Sequence, residues 1–173
     1  MLSLRRPALL CFLFLFLCSG PGLALFQHPA IPTALEEQLK KLVKESQVFE
    51  TLTLYTRPNE FREEHLLKYW LPATKGGVEM SKVKSSIQGL LAKGWHYGAE
   101  SRLERFEFRY VKPLAADAIE IGTTEAWFVP VYDTAGNRVT GRSPNLGYPV
   151  TYVLKQVGNA WLIASSSTPR AKR

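Results

Sequence analysis

Apolar residues recur first at helical spacing and then at alternate positions, and the change of period divides the chain. Leu35, Leu39, Leu42, Val43, Phe49 and Leu52 share one stripe, with Lys40, Lys41 and Lys44 off it, the signature of an amphipathic helix. Thr33 is placed to cap that helix, and Glu36 three residues on completes a capping box. Arg57-Pro58-Asn59 ends it. A second, short helix is predicted from about Glu60 to Leu71, capped by Asn59 and closed by Pro72. After a turn over Thr74 to Gly77, a third helix carries Met80, Val83, Ile87, Leu90 and Leu91 on one face. Gly94 is positioned to terminate it.

Beyond Gly94 the period falls to two. In Arg102 to Val111, Phe106, Phe108 and Tyr110 alternate with Arg105, Glu107 and Arg109, as in a strand with one buried and one wet face. Ile119, Ile121, Trp127, Val129 and Val131 share a parity in the next strand. Asp133 to Gly147 reads as a connection rich in Gly, Pro and Asn. Tyr148, Val150, Tyr152 and Leu154 mark a third strand, Gly158-Asn159 a tight hairpin, and Trp161 to Ser165 a last strand. Helices segregated before hairpin-linked strands predict an α+β domain: three N-terminal helices on a curved four-stranded antiparallel sheet, shaped as a cone with a pocket.

The N-terminus adds a destination. Arg5 and Arg6 precede an apolar run to Leu17, and Ser19 to Gly22 break it. Gly22-Leu23-Ala24 then supplies small residues at a cleavage site, so residues 1–24 read as a secretory signal peptide. The run is shorter than a spanning helix needs. An uncleaved anchor is the main competing reading. A lipoprotein is disfavoured by bulky Leu17 before Cys18, and twin-arginine export by Pro7 and Ala8 after the arginine pair. The expected destination is periplasm, thylakoid lumen or medium. Both cysteines, Cys11 and Cys18, lie in the signal, so the mature chain must rely on a core rather than on disulfides. Residues 25–33 form an extended leader, 34–167 one domain, and 168–173 a basic tail.

Charge narrows the partners. The formal +7 falls to +5 without the signal and to +2 without Arg170, Lys172 and Arg173. Lys and Arg interleaved with Glu make a solvated mixed surface rather than a nucleic-acid footprint. The tail offers at most weak contact with an anionic membrane.

Several stretches resemble a known family. They are the Leu90-Leu91-Ala92-Lys93-Gly94-Trp95-His96-Tyr97 run, the Gly122-Thr123-Thr124-Glu125-Ala126 strand, and the closing hairpin from Tyr148 to Ile163 with its Trp161-Leu162-Ile163 ending. Together they resemble the IMS domain of plastid-division proteins and their cyanobacterial relatives, within the nuclear transport factor 2-like (cystatin-like) superfamily. The resemblance covers about Ala34 to Ser167. It implies a protein-interaction domain in the compartment beyond an inner membrane. On division proteins the domain follows a long cytosolic portion and a transmembrane helix, whereas here a signal-like segment precedes it.

Candidate chemistry centres on Glu125, which shares parity with the apolar face of its strand. Burying a carboxylate is costly unless it is paired or hydrogen-bonded. Either it lines the pocket, or a bulge turns it outward, or it pairs with an arginine such as Arg109. Lining a pocket, it would be a general base with His96 or Tyr97 as its partner, in an isomerase or dehydratase. The main expectation is a non-enzymatic module holding a protein partner or a small apolar ligand on the concave sheet face. Glu125, Trp95, Trp127, Arg138, Arg142 and Tyr148 are the expected contacts. No acidic residue follows Asp133, so that end should prefer an acidic partner. Three scattered histidines and no mature cysteine predict no metal site, and no phosphate-loop or dinucleotide motif suggests a cofactor.

Overall fold

The computed structural model describes residues 30–140 and 147–168. The signal-like segment, Arg142 and the basic tail lie outside these residues. Among the described residues there are two α-helices, α1 (Thr33–Phe49) and α2 (Glu79–Lys93). They are joined by a π-turn (Glu50–Leu54) and three 3-10 turns (Pro58–Glu60, Glu63–Lys68, Ala73–Lys75). Seven strands follow: β1 (Trp95–Tyr97), β2 (Arg102–Ala115), β3 (Ala118–Phe128), β4 (Val131–Asp133), β5 (Arg138–Thr140), β6 (Tyr148–Val157) and β7 (Ala160–Ser167). They form an antiparallel sheet in the order β2-β3-β6-β7 and a smaller one in the order β1-β4-β5. The α+β class is as expected, but the helix count and the single sheet are not.

The differences have local causes. Pro32, not Thr33, stands at the N-cap of α1, and no side chain caps the helix. Proline at that point presets the backbone angle and has no N–H to satisfy. The predicted short helix from Glu60 to Leu71 breaks into 3-10 turns, with Arg62 rather than Asn59 before the longer one. Its chain must turn to lie along β7: Leu71 N–H donates to Ile163 O at 2.8 Å, Ile163 N–H to Tyr69 O at 2.8 Å and Val78 N–H to Ala164 O at 2.7 Å. These bonds cover an edge that would otherwise be open. In the π-turn each bond spans one residue more than in an α-helix, so the stripe rotates. Thr51 and Leu54 become buried and Leu52 is turned out. Leu91 is also exposed, on the outer side of α2.

In the sheet, a bulge between Phe108 and Tyr110 resets the alternation of β2. Phe106, Phe108 and Val111 turn inward while Tyr110 turns outward, as an extra residue in one strand requires. Pro130 interrupts the predicted second strand, so Val131 begins β4 in the other sheet. The supposed connection from Asp133 contains a hairpin. Asp133 Oδ1 accepts from Ala135 N at 2.9 Å and Asn137 N at 2.8 Å, and Gly136 adopts φ +81°. The Gly158-Asn159 turn forms as predicted, with Gly158 at φ +61°. Gly94 closes α2 at φ +65°.

The core lies between the helices and the inner face of the larger sheet. Leu39, Val43, Leu54, Leu66, Trp70, Val83 and Ile87 meet Ile121, Tyr152, Leu154 and Ile163. Glu79 joins the layers by accepting from Ser166 N at 2.6 Å and Ser166 Oγ at 2.7 Å while pairing with Lys82 at 3.0 Å.

Candidate functional site

The inner face of β3 carries one acid among apolar residues. Glu125 is 1% exposed, and three side chains donate to it. Thr123 Oγ1 lies 2.7 Å and Tyr152 Oη 2.6 Å from Oε1, and Trp127 Nε1 lies 3.2 Å from Oε2. Thr123 and Trp127 flank it two residues away on the same face, as strand alternation dictates. Tyr152 comes from β6, where its Cα partner is Ile121. Neither a bulge nor Arg109 resolves the burial; three hydrogen bonds do.

A second acid stands near it, which sequence periodicity could not reveal. Glu50 opens the π-turn and accepts from the Tyr55 hydroxyl, five residues on. The wider i to i+5 turn is what aligns the two. Part of Glu50 is open, but burial of its carboxyl end pushes it up to about 7. The Tyr55 bond opposes that rise, and the Glu79 and Glu125 charges add to it. Burial, then the Glu50 charge, pushes the Tyr55 hydroxyl far up. The Tyr97 ring packs edge-on against Tyr55 at 5.1 Å between centroids, and its hydroxyl too is raised, by burial and then by Glu50. Burial, then Glu125, Tyr97 and Glu50, pushes Tyr148 up to about 12. Tyr152 is raised well above its ordinary value, by burial and then by Glu125. The cluster's signal in sequence was six tyrosine or glutamate positions spread over the π-turn, β1, β3 and β6, which only topology gathers.

The other predicted residues scatter. His96 is next to Tyr97 but on the opposite side of β1, where it stacks on Tyr132 at 6.1 Å and 29°. With Trp95, Arg57, Asn59, Glu60 and Thr134 it lines a separate cleft of about 370 Å³. Trp95 carries Lys93 Nζ over its ring at 4.6 Å. Arg138 lies exposed on β5, Tyr148 is 37% exposed at the start of β6, and Arg142 lies outside the described residues. Thus Tyr97, Tyr148 and Trp127 join Glu125, while Trp95, His96 and Arg138 do not.

Among the described residues no helix covers the opposite face of the sheet. There Arg105, Arg109, Tyr110, Thr124, Pro149 and Thr151 bound an open depression of about 600 Å³. A smaller apolar recess of about 220 Å³ lies between Ile31, Leu35, Pro113, Ile119 and Trp161. Among the described residues no group of three or more His, Cys, Asp or Glu could hold a metal.

Among solved structures, the intermembrane-space region of chloroplast protein ARC6 aligns with a TM-score of 0.62, over 81% of this chain and 98% of that one, at 14% identity. The chain has the fold of the ARC6 intermembrane-space region. At that identity the likeness is one of fold, and it meets the sequence resemblance at that level. An NTF2-like protein with a cystatin-like fold from Novosphingobium aromaticivorans aligns over 84% of this chain and 95% of its own, at 13% identity and a TM-score of 0.36. No protein-family model matches the chain, and no curated protein matches it. On the ARC6-like fold, the tyrosine and glutamate cluster fills the end of the inner sheet face near β1, and the wide depression lies on the outer face.

Proposed function

We propose that the chain is an exported, non-enzymatic interaction module that holds a protein partner on its outer sheet face. The observation that carries this is the state of Glu125. A general base needs a free lone pair aimed at substrate and a partner in the same cavity. Glu125 is buried with three intramolecular donors, and His96 faces a different cleft. The isomerase or dehydratase alternative therefore loses His96, and keeps only Tyr97 near a Glu125 already engaged by three donors. The helix-facing side of the sheet, where the ligand was expected, is occupied by the core, which supports a reading with the contact surface on the outer side.

Export rests on the charge and apolar pattern of residues 1–24. No helix among the described residues is long and apolar enough to cross a membrane. A small apolar ligand has a candidate seat in the recess beside Trp161, and the weak anionic-membrane contact rests on Arg170, Lys172 and Arg173.

The test is a native affinity capture with the purified protein from its own envelope fraction, followed by mass spectrometry of proteins and small molecules. A stoichiometric, salt-sensitive protein partner supports the module. A bound small molecule with no protein partner returns the function to the interior.

A further inference from the structure

Gly122 lies in the middle of β3, opposite Tyr110 of β2. A Cβ at Gly122 would stand 2.2 Å from the Tyr110 ring. The absence of that carbon lets the ring lie down on the sheet, where its hydroxyl reaches Thr151 Oγ1 at 3.4 Å. The same absence hollows the outer face into the depression of about 600 Å³, within the range of ligand-sized sites. The bulge that turns Tyr110 outward leaves Arg109 without a partner residue in the β2 to β3 register.

Arg105 and Arg109 are the charged members of the lining, beside Tyr110, Thr124, Pro149 and Thr151. Among the described residues that line it none is acidic. Glu107 stands between Arg105 and Arg109 on the outward side of β2, opposite Thr124, and both arginines act on it, so this edge carries two guanidinia and one carboxylate. Arg105 is tied to Glu107 at 2.7 Å, a pair about half exposed on each side and so exchanged at little cost. Arg109 has no carboxylate within ion-pair distance among the described residues. A guanidinium presents a planar fork that matches a carboxylate with two parallel bonds. The Tyr110 ring beside it offers a flat apolar floor, and the Thr124 and Thr151 hydroxyls add donors and acceptors.

We propose that this depression is the docking site for an extended acidic peptide segment of the partner, with Arg109 gripping a carboxylate and the Tyr110 ring supporting the chain beside it. The inference rests on the reading of the protein as an interaction module and adds the site and the chemistry of what it takes. A peptide is favoured over a lipid surface because the guanidinia border a recess rather than project from a convex patch.

The experiment is selection from a random octapeptide display library on the purified wild-type protein and on Arg109→Glu, Arg109→Lys and Arg105→Ala. Wild type should enrich peptides with two or more Asp or Glu residues. Arg109→Glu should lower affinity for the selected peptides at least tenfold, and Arg109→Lys severalfold, because an ammonium cannot replace the fork. Arg109 is exposed, and unchanged thermal unfolding of each variant confirms that folding is intact. An enriched set without acidic bias, or one equally enriched by Arg109→Glu, overturns the proposal. So does binding to phosphatidylglycerol vesicles that depends on Arg109 in the absence of peptide selection. If Arg109→Glu captures the same envelope partner as wild type, the docking site falls while the interaction module stands. If wild type captures no protein at all, the module itself falls.

Discussion

The two faces of the larger sheet carry opposite kinds of chemistry, although they belong to the neighbouring strands β2 and β3. On the inner face Glu125 is an acid without a positive partner, held by Thr123, Trp127 and Tyr152. On the outer face Arg109 of β2 is a cation with no carboxylate within ion-pair distance among the described residues, at the rim of a hollow made by Gly122. Burial explains the contrast. In the low-dielectric interior an unmet charge is expensive, so every donor the strand can supply converges on the acid. In water an unmet charge costs little, and it remains available to a second molecule. An interior charge thus reports what the fold needed, and an exposed one reports what it leaves free.

The sharpest way to break this comparison is to empty the inner face. Glu125→Ala strands three buried donors and should destabilise the fold by roughly 3–5 kcal/mol, read as a lower urea midpoint. A loss under about 1 kcal/mol would mean that the network does not hold the acid. In Glu125→Gln a carbonyl oxygen survives and the outer face is untouched, so partner binding should match wild type in a variant that still folds. A tenfold fall would place the partner inside.

A smaller effect is expected from the single donor on β6. Tyr152→Phe removes one hydrogen bond to a carboxylate while leaving the ring, and should cost about 1.5 kcal/mol. It should not move the affinity for acidic peptides.

The third measure is pH. Glu50 has its folded-state carboxyl raised to about 7 from 4.5, chiefly by burial. The folded state therefore holds this proton more tightly than the unfolded chain does. The stability it contributes is fully present below about 4.5 and is lost as pH rises through about 7. Because part of Glu50 is open to water, the loss should be no more than about 1 kcal/mol. Glu50→Gln should remove that slope; a slope unchanged in the variant would assign it to another group.

The smallest effect on stability belongs to the outer face. Arg109→Glu should shift unfolding by less than about 0.5 kcal/mol while abolishing selection of acidic peptides. A larger shift would show that Arg109 serves the fold.

By itself the sequence determined the α+β class, the switch from helical to alternating period, the Gly158 turn, the Gly94 stop and the inward parity of Glu125. Each is a local rule: a period, a left-handed backbone position, an alternation that has no choice of face. Its errors fall where one extra residue shifts a phase. The π-turn turned Leu52 out, and the bulge turned Tyr110 out. Pro130 sent Val131 to another sheet. Only the tertiary structure decided that Glu50 and Tyr55 from the turn after α1 would meet Tyr97 of β1 and Tyr148 of β6. It alone decided that His96 would face away from them, and that Gly122 would hollow the outer face beneath Tyr110. Those meetings join segments far apart in the chain, and no local preference encodes them. Packing selects them by burying Glu125 with its donors and leaving Arg109 in water.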